Sequence, residues 1–123
     1  LFSMNFQGAK QRIQQFEVDG CEYYGAWQKE VLVGIFCLLK GQESVYIFDF
    51  AVDGDYQKRG IGKTMLKELI RIVQKEAQDA NTEQKKIRIQ TGSNNGTAFR
   101  LYQKNGFQVI SQRDYYRINF IGI

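Results

Sequence analysis

The stretch YQKRGIGKTML, residues 56–66, sets two glycines and a group of cations directly ahead of an apolar run. Gly60 and Gly62 allow positive φ and a close approach of backbone to a ligand. The first-turn amides of a helix starting near Gly60 are unpaired donors, with the partial positive charge of the helix end behind them. Lys58, Arg59 and Lys63 add full charges, and Thr64 adds a hydroxyl. One favourable charge at a helix end is worth only about 0.3–1 kcal/mol. Several amides and cations converging on a pyrophosphate would hold it far more firmly. The segment has the make-up of an anion cradle; its bland alternative is a glycine-rich turn with solvated lysines.

Two familiar phosphate loops fail on spacing. The NTPase loop needs a glycine five positions before the glycine of its GK[ST], and Gln57 stands there relative to Gly62. The dinucleotide fingerprint needs a glycine three residues after Gly62, where the chain has Met65. The chain also contains no histidine, which removes Ser-His-Asp and Cys-His catalysis and most zinc sites together. Any acid or base must be a carboxylate, tyrosine, lysine, cysteine or water. Asp49 is the one carboxylate within the apolar segment VYIFDFAV, 45–52. Its bland reading is a surface charge paired to a nearby cation. Asp53 and Asp55 follow as turn formers.

The elements that must position these residues follow from pattern. Phe6, Ala9, Ile13 and Phe16 recur at helical spacing over 5–16. CEYYGAW (21–27) and VLVGIFCLL (31–39) predict a hairpin across the polar QKE. VYIFDFAV predicts a third strand, central because it is almost wholly apolar. A helix of about five turns follows the glycines, with Ile61, Met65, Leu66, Leu69, Ile70, Val73 and Ala77 on its buried face. KIRIQT (86–91) predicts a strand parallel to the third, because a helix crosses over between them. A short helix over GTAFRLYQKNG is introduced by Asn94 and Asn95 and stopped by Asn105-Gly106. FQVIS and YYRINFI close the chain as a hairpin around QRD. The fold expected is one α/β (α+β) domain over 1–123, a mixed sheet with helices.

Composition narrows the class. With 43% hydrophobic and 24% charged residues, the chain reads as an ordinary soluble globular protein. No apolar run approaches the roughly 20 residues of a membrane span. The start LFSMNFQGAK lacks the order of a signal peptide. Cys21 and Cys37 form no CxxC and read as small buried hydrophobes of a reduced, cytoplasmic protein. The net charge of +4 suits an anionic ligand but is too weak and scattered to argue for nucleic acid.

Together with its neighbours, the turn resembles the acyl-CoA-binding signature of the GNAT superfamily of N-acetyltransferases. Phe50-Ala51-Val52 match a strand ending hydrophobic-Ala-Val, and Gln57-Lys58-Arg59-Gly60-Ile61-Gly62 match Gln/Arg-x-x-Gly-x-Gly/Ala. NGTAFRLYQKNGF, 95–107, is similar to the second signature through Asn95, Ala98, Leu101, Tyr102, Gly106 and Phe107. The match runs from about residue 20 to the end and is that of a small bacterial-type member. It implies a mostly antiparallel sheet flanked by helices, with strands splayed where acyl-CoA inserts.

The resemblance also implies roles. The backbone of Phe50, Ala51 and Val52 would pair with the pantetheine amides, with the Val52 amide available to an oxyanion. The segment Lys58, Arg59, Gly60, Ile61, Gly62, Lys63 and Thr64, introduced by Gln57, would hold the pyrophosphate. Asn95 would contact the pantetheine arm. Tyr102 would protonate the departing thiolate, which a phenol can do, or else serve only as a packing tyrosine. Asp49 would be the base. Acetyl-CoA is the implied cosubstrate, with no metal, and the acceptor is a primary amine of a small molecule or peptide.

Members of the superfamily usually carry more chain before the hairpin than the 20 residues ahead of Cys21, so the N-terminal part reads as shortened. The acceptor pocket is then open or is completed by a second subunit, which leaves a homodimer open. The apolar last strand YYRINFIGI could pair with such a partner. Gly54 replaces a proline common in relatives. The alternative function is a catalytically silent acyl-CoA-binding module of the same fold.

Overall fold

A computed structural model describes residues 21–92, 95–114 and 117–122, with 112–114 and 117–119 described through their backbone only. The helix expected over 5–16 and the contribution of Asn94 lie outside the described residues.

Aromatic and β-branched residues build the first hairpin, β1 (Cys21–Gln28) and β2 (Val31–Lys40). Gln28 pairs with Val31, so only Lys29 and Glu30 turn the chain. Lys29 accepts φ 56° to do so, as a two-residue hairpin turn requires positive φ. β3 (Ser44–Val52) adds antiparallel to β2. Helix α1 (Ile61–Asp79) then crosses over to β4 (Lys86–Gly92), which lies parallel to β3. After α2 (Gly96–Lys104) come β5 (Gln108–Asp114) and β6 (Arg117–Gly122). The sheet runs β1-β2-β3-β4-β6-β5, and β3–β4 is its parallel pair among the described strands.

Both described helices pack on one face of the sheet. Ile61, Met65, Leu66, Leu69 and Val73 of α1 are buried against Phe36, Leu38, Val45, Ile47, Ile87 and Ile89. Tyr24 stacks on Phe36 with centroids 5.3 Å apart. Helix α2 joins the same core through Tyr102, whose ring meets Phe120 edge-on at 5.4 Å. At Gly34, Met65 Sδ occupies the space a Cβ would need, so β2 and α1 approach as closely as glycine allows.

Three sequence expectations change. QRD is strand rather than turn, since Gln112 and Asp114 both pair with β6. β6 is no edge strand: it inserts between β4 and β5, so both its sides are occupied and β5 is the edge among the described strands. β3 is central, as expected, but only half of it is buried. Val45 and Ile47 face the helices, whereas Tyr46 and Phe48 are exposed on the other side.

The feature that makes a site is where β3 and β4 stop pairing. The parallel ladder ends at Ile47↔Ile89, although β3 runs on to Val52 and β4 to Gly92. Beyond that point β3 stays paired with β2, and β4 with β6. Between Ile35 and Cys37 the β2–β3 register slips, so Asp49 and Phe50 together oppose Phe36. Asp49 takes φ 55° at this bulge. A bulge bends and twists the strand that carries it, and here it steers β3 away from β4.

Candidate active site

The parted strands open a cleft of about 340 Å³. Phe50, Ala51 and Val52 form its floor, and Gln57, Lys58, Gly60, Ile61 and Gly62 form one wall. Asn95, Thr97, Ala98 and Leu101 form the facing wall, with Tyr56 at the rim. The two signatures recognised in the sequence therefore become the two sides of one cavity.

The turn between β3 and α1 is built by local hydrogen bonds. Asp53 N–H donates to the Val33 carbonyl at 2.8 Å, and Asp53 Oδ1 accepts from Asp55 N–H at 2.9 Å. This carries the chain into a single 3-10 turn, Gly54–Tyr56. Lys58 and Gly60 then both take left-handed backbone, φ 63° and 79°. Such turns aim successive N–H groups into one concavity, suited to an anion. Gly60 caps α1 without any side-chain hydrogen bond, and no acidic residue lies in the first turn. The amides of Ile61, Gly62 and Lys63 thus keep their donors and meet no competing carboxylate. A Cβ at Gly62 would stand 3.3 Å from Leu101, so glycine here also lets α1 approach α2.

Several expected residues bond to their own backbone or lie outside the cleft. Thr64 Oγ1 donates to the Gly60 carbonyl at 3.0 Å, closing the first helical turn. Gln57 lines the cleft, but its Nε2 donates to the Val52 carbonyl at 3.2 Å, tying turn to strand end. Arg59 lies over the Tyr56 ring, 5.1 Å from its centroid, and lies outside the cleft wall together with Lys63. Asn95 lines the cleft and caps α2, its Oδ1 accepting from Ala98 N–H at 3.1 Å.

Tyr102 lies one turn along α2 from Ala98, and only 2% of it is exposed. It lies behind the cleft wall, with its ring edge-on to that of Phe50 at 5.8 Å. Burial pushes its phenol well above the ordinary range, so it is protonated at neutral pH. Asp49 is exposed on the opposite sheet face, where it accepts a hydrogen bond from the Tyr23 hydroxyl at 3.1 Å. That bond, with some desolvation, pushes the Tyr23 phenol up. Asp49 and Tyr102 therefore flank the strand gap from opposite sides. Sequence reasoning missed Tyr56 and Thr97, which carry no charge to mark them, and Tyr23, which is joined to Asp49 only by strand register.

The strand gap and the left-handed turn are the two features of the site's geometry, and comparison with known proteins gives the chain its family. Residues 2–107 match the profile of the acetyltransferase (GNAT) family. The uncharacterized N-acetyltransferase YvbK of Bacillus subtilis is 35% identical over 89 residues, covering 72% of this chain. The chain spans about half of that relative, 54% of its length. The ribosomal-protein-S18-alanine N-acetyltransferase of Escherichia coli superposes with a TM-score of 0.74 at 19% identity, over 90% of this chain and 74% of the other. A GNAT acetyltransferase of Elizabethkingia anophelis with acetyl-CoA bound gives 0.67 at 24% identity, over 94% and 84%. The chain belongs to the acetyltransferase (GNAT) family. Acyl-CoA-dependent acetyl transfer is the chemistry of that class.

Proposed function

We propose that residues 1–123 form one N-acetyltransferase domain that transfers acetyl from acetyl-CoA to a primary amine by direct attack in a ternary complex. The observation that carries this reading is the parting of β3 and β4 beyond Ile47 and Ile89, with the left-handed turn at the mouth of the opening. An extended pantetheine arm can pair with the exposed edge of β3 between Phe50 and Val52 as a strand would. The amides of Ile61, Gly62 and Lys63 suit a pyrophosphate, and the cations Lys58 and Lys63 reinforce them. Arg59, stacked on Tyr56, stands at the outer rim, where charge acts at longer range. The Asn95 amide nitrogen remains for the pantetheine arm once its oxygen has capped α2.

The neutral amine attacks the thioester carbonyl. A C–N bond forms, the C–S bond breaks, and the sulfur leaves as a thiolate that needs a proton. Tyr102 supplies it through the Phe50 side of the cleft. Burial disfavours the phenolate, but it disfavours a thiolate in the same dry surroundings too, so the transfer is not opposed by burial alone. Asp49 takes the proton that the amine must lose. The Val52 amide is the donor for the oxyanion, its own carbonyl being held by Gln57. Free Cys21 and Cys37 fit a reducing, cytoplasmic location.

A second reading, a silent acyl-CoA-binding module, is favoured by the position of Tyr102 behind the cleft wall. Calorimetric titration with acetyl-CoA, CoA and ATP tests the shared part of both. Micromolar binding of the first two and none of ATP is expected; a folded protein that binds neither acyl-CoA nor CoA would exclude both readings. Turnover with any primary amine separates the two.

A further inference from the structure

Resting on the acetyltransferase reading above, we propose that the Phe50 side chain sets the size of the acyl group this chain accepts, as the ring against which the acyl end of the thioester comes to rest.

The cleft has a direction. Its cationic turn, 57–62, follows the end of β3 at Val52. Its other end lies toward Ile47 and Ile89, where β3 and β4 pair again. Of the three β3 residues that line the cleft, Phe50 is farthest from the turn and nearest that closure. A thioester with its pyrophosphate on the turn and its arm along the β3 edge therefore brings its acyl end to Phe50.

The bulge is what puts an aromatic ring there. Side chains alternate between the faces of a strand, and Val45 and Ile47 face the helices. In an unbroken strand position 49 would come next on that face. The register slip opposite Phe36 reverses the alternation. Asp49 is exposed on the far face, and Phe50 packs on the helix-side core. Its ring lies against that of Phe36, with centroids 6.3 Å apart and planes at 28°.

The ring has nowhere to retreat. Tyr102 meets it edge-on at 5.8 Å, and Phe36 and Tyr102 are only 0% and 2% exposed. Tyr24 stacks on Phe36 in turn, and Phe107 and Phe120 hold Tyr102. Rings in a close-packed interior yield little space to a ligand. Phe50 itself is partly buried, and its open side is cleft floor. An acyl chain longer than acetyl must press on this ring or turn out of the cleft. One methylene in an apolar pocket shifts selection by roughly 10–200-fold, so a single unyielding ring is enough to choose the donor.

Calorimetric titration of the purified chain with CoA and with acetyl-, propionyl-, butyryl- and hexanoyl-CoA tests this without an acceptor. The parent should bind butyryl-CoA at least about tenfold more weakly than acetyl-CoA. The quantity to compare among variants is the ratio of butyryl-CoA to acetyl-CoA affinity, in which any common change at the β3 edge cancels. Phe50→Leu shortens the side chain and should raise that ratio roughly tenfold. Phe50→Ala should extend the gain to hexanoyl-CoA. Phe50→Tyr keeps the ring and should keep the parent's preference for the short chain. Where Phe50→Ala does not fold, Phe50→Leu and Phe50→Tyr decide between them. A parent that binds butyryl-CoA as tightly as acetyl-CoA would overturn the proposal, as would an unmoved ratio in Phe50→Leu. A folded Phe50→Leu that binds no acetyl-CoA would also overturn it, because the ring would then hold the cofactor rather than gauge the acyl group. A parent chain that binds neither CoA nor acetyl-CoA would instead overturn the reading on which it rests.

Discussion

Tyr102 shows how one side chain can be asked to do two jobs. Its ring meets Phe50, Phe107 and Phe120 in the core, at centroid distances of 5.8, 6.1 and 5.4 Å. Its hydroxyl is the group the chemistry wants near the thioester. Tyr102→Phe keeps the ring contacts and removes only the oxygen. If the phenol is the acid, kcat should fall by roughly 10²-fold, the lower end of general acid catalysis, with acetyl-CoA affinity unchanged. An unchanged rate would leave Tyr102 with packing alone and would move the chain toward the silent-module reading. Thr64 and Gln57 make the related point that a polar residue in a signature can act on its own backbone rather than on the ligand.

The turn and the start of α1 act as one element. Nothing lies within 4 Å of where a Cβ on Gly60 would stand, so a substitution there meets no steric wall. The whole effect must come through φ 79°, which a β-branched residue resists. Gly60→Val should therefore remain folded, losing about 1–2 kcal/mol of stability. The turn would rearrange, and acetyl-CoA binding in a calorimeter should weaken by more than tenfold. Retained micromolar affinity would mean that the turn is not the anion site. Val at position 62 would test something else, because a side chain there meets Leu101 of α2.

Across the molecule, two phenols are stored in the shared core. Burial pushes Tyr102 up, and burial with a hydrogen bond to Glu22 pushes Tyr24 up. In the unfolded chain both ionise around their ordinary value of 10.0. Below that pH both states hold the protons and stability does not depend on them. Above it the unfolded chain loses protons that the folded chain keeps, so stability falls as pH rises toward the folded values. The urea midpoint should be insensitive to these two groups up to about pH 10 and decline beyond it. Tyr102→Phe should make that decline shallower than in the parent; an unchanged slope would mean that the phenol is not desolvated in solution. Lys40, joined to Glu22 and Glu76, also loses its bridges in this range, so the comparison between parent and variant is the informative quantity.

The sequence by itself determined the local chemistry: the two signatures, the glycine turn, the helix faces and the absence of histidine. These depend on neighbours within a few residues, and chain connectivity enforces them wherever the segment lies. Strand positions followed from the same short-range patterns, with QRD misplaced because a polar triplet looks like a turn until it is paired with β6. Only the tertiary structure decided that β6 is internal, that β3 parts from β4 at Ile47, and that Asp49 sits at a bulge with Tyr23 as its partner. Register sets each of these, and register is a balance over whole strands whose partners lie far apart in the chain. A slip of one residue would turn Asp49 toward the core, with no change in any motif.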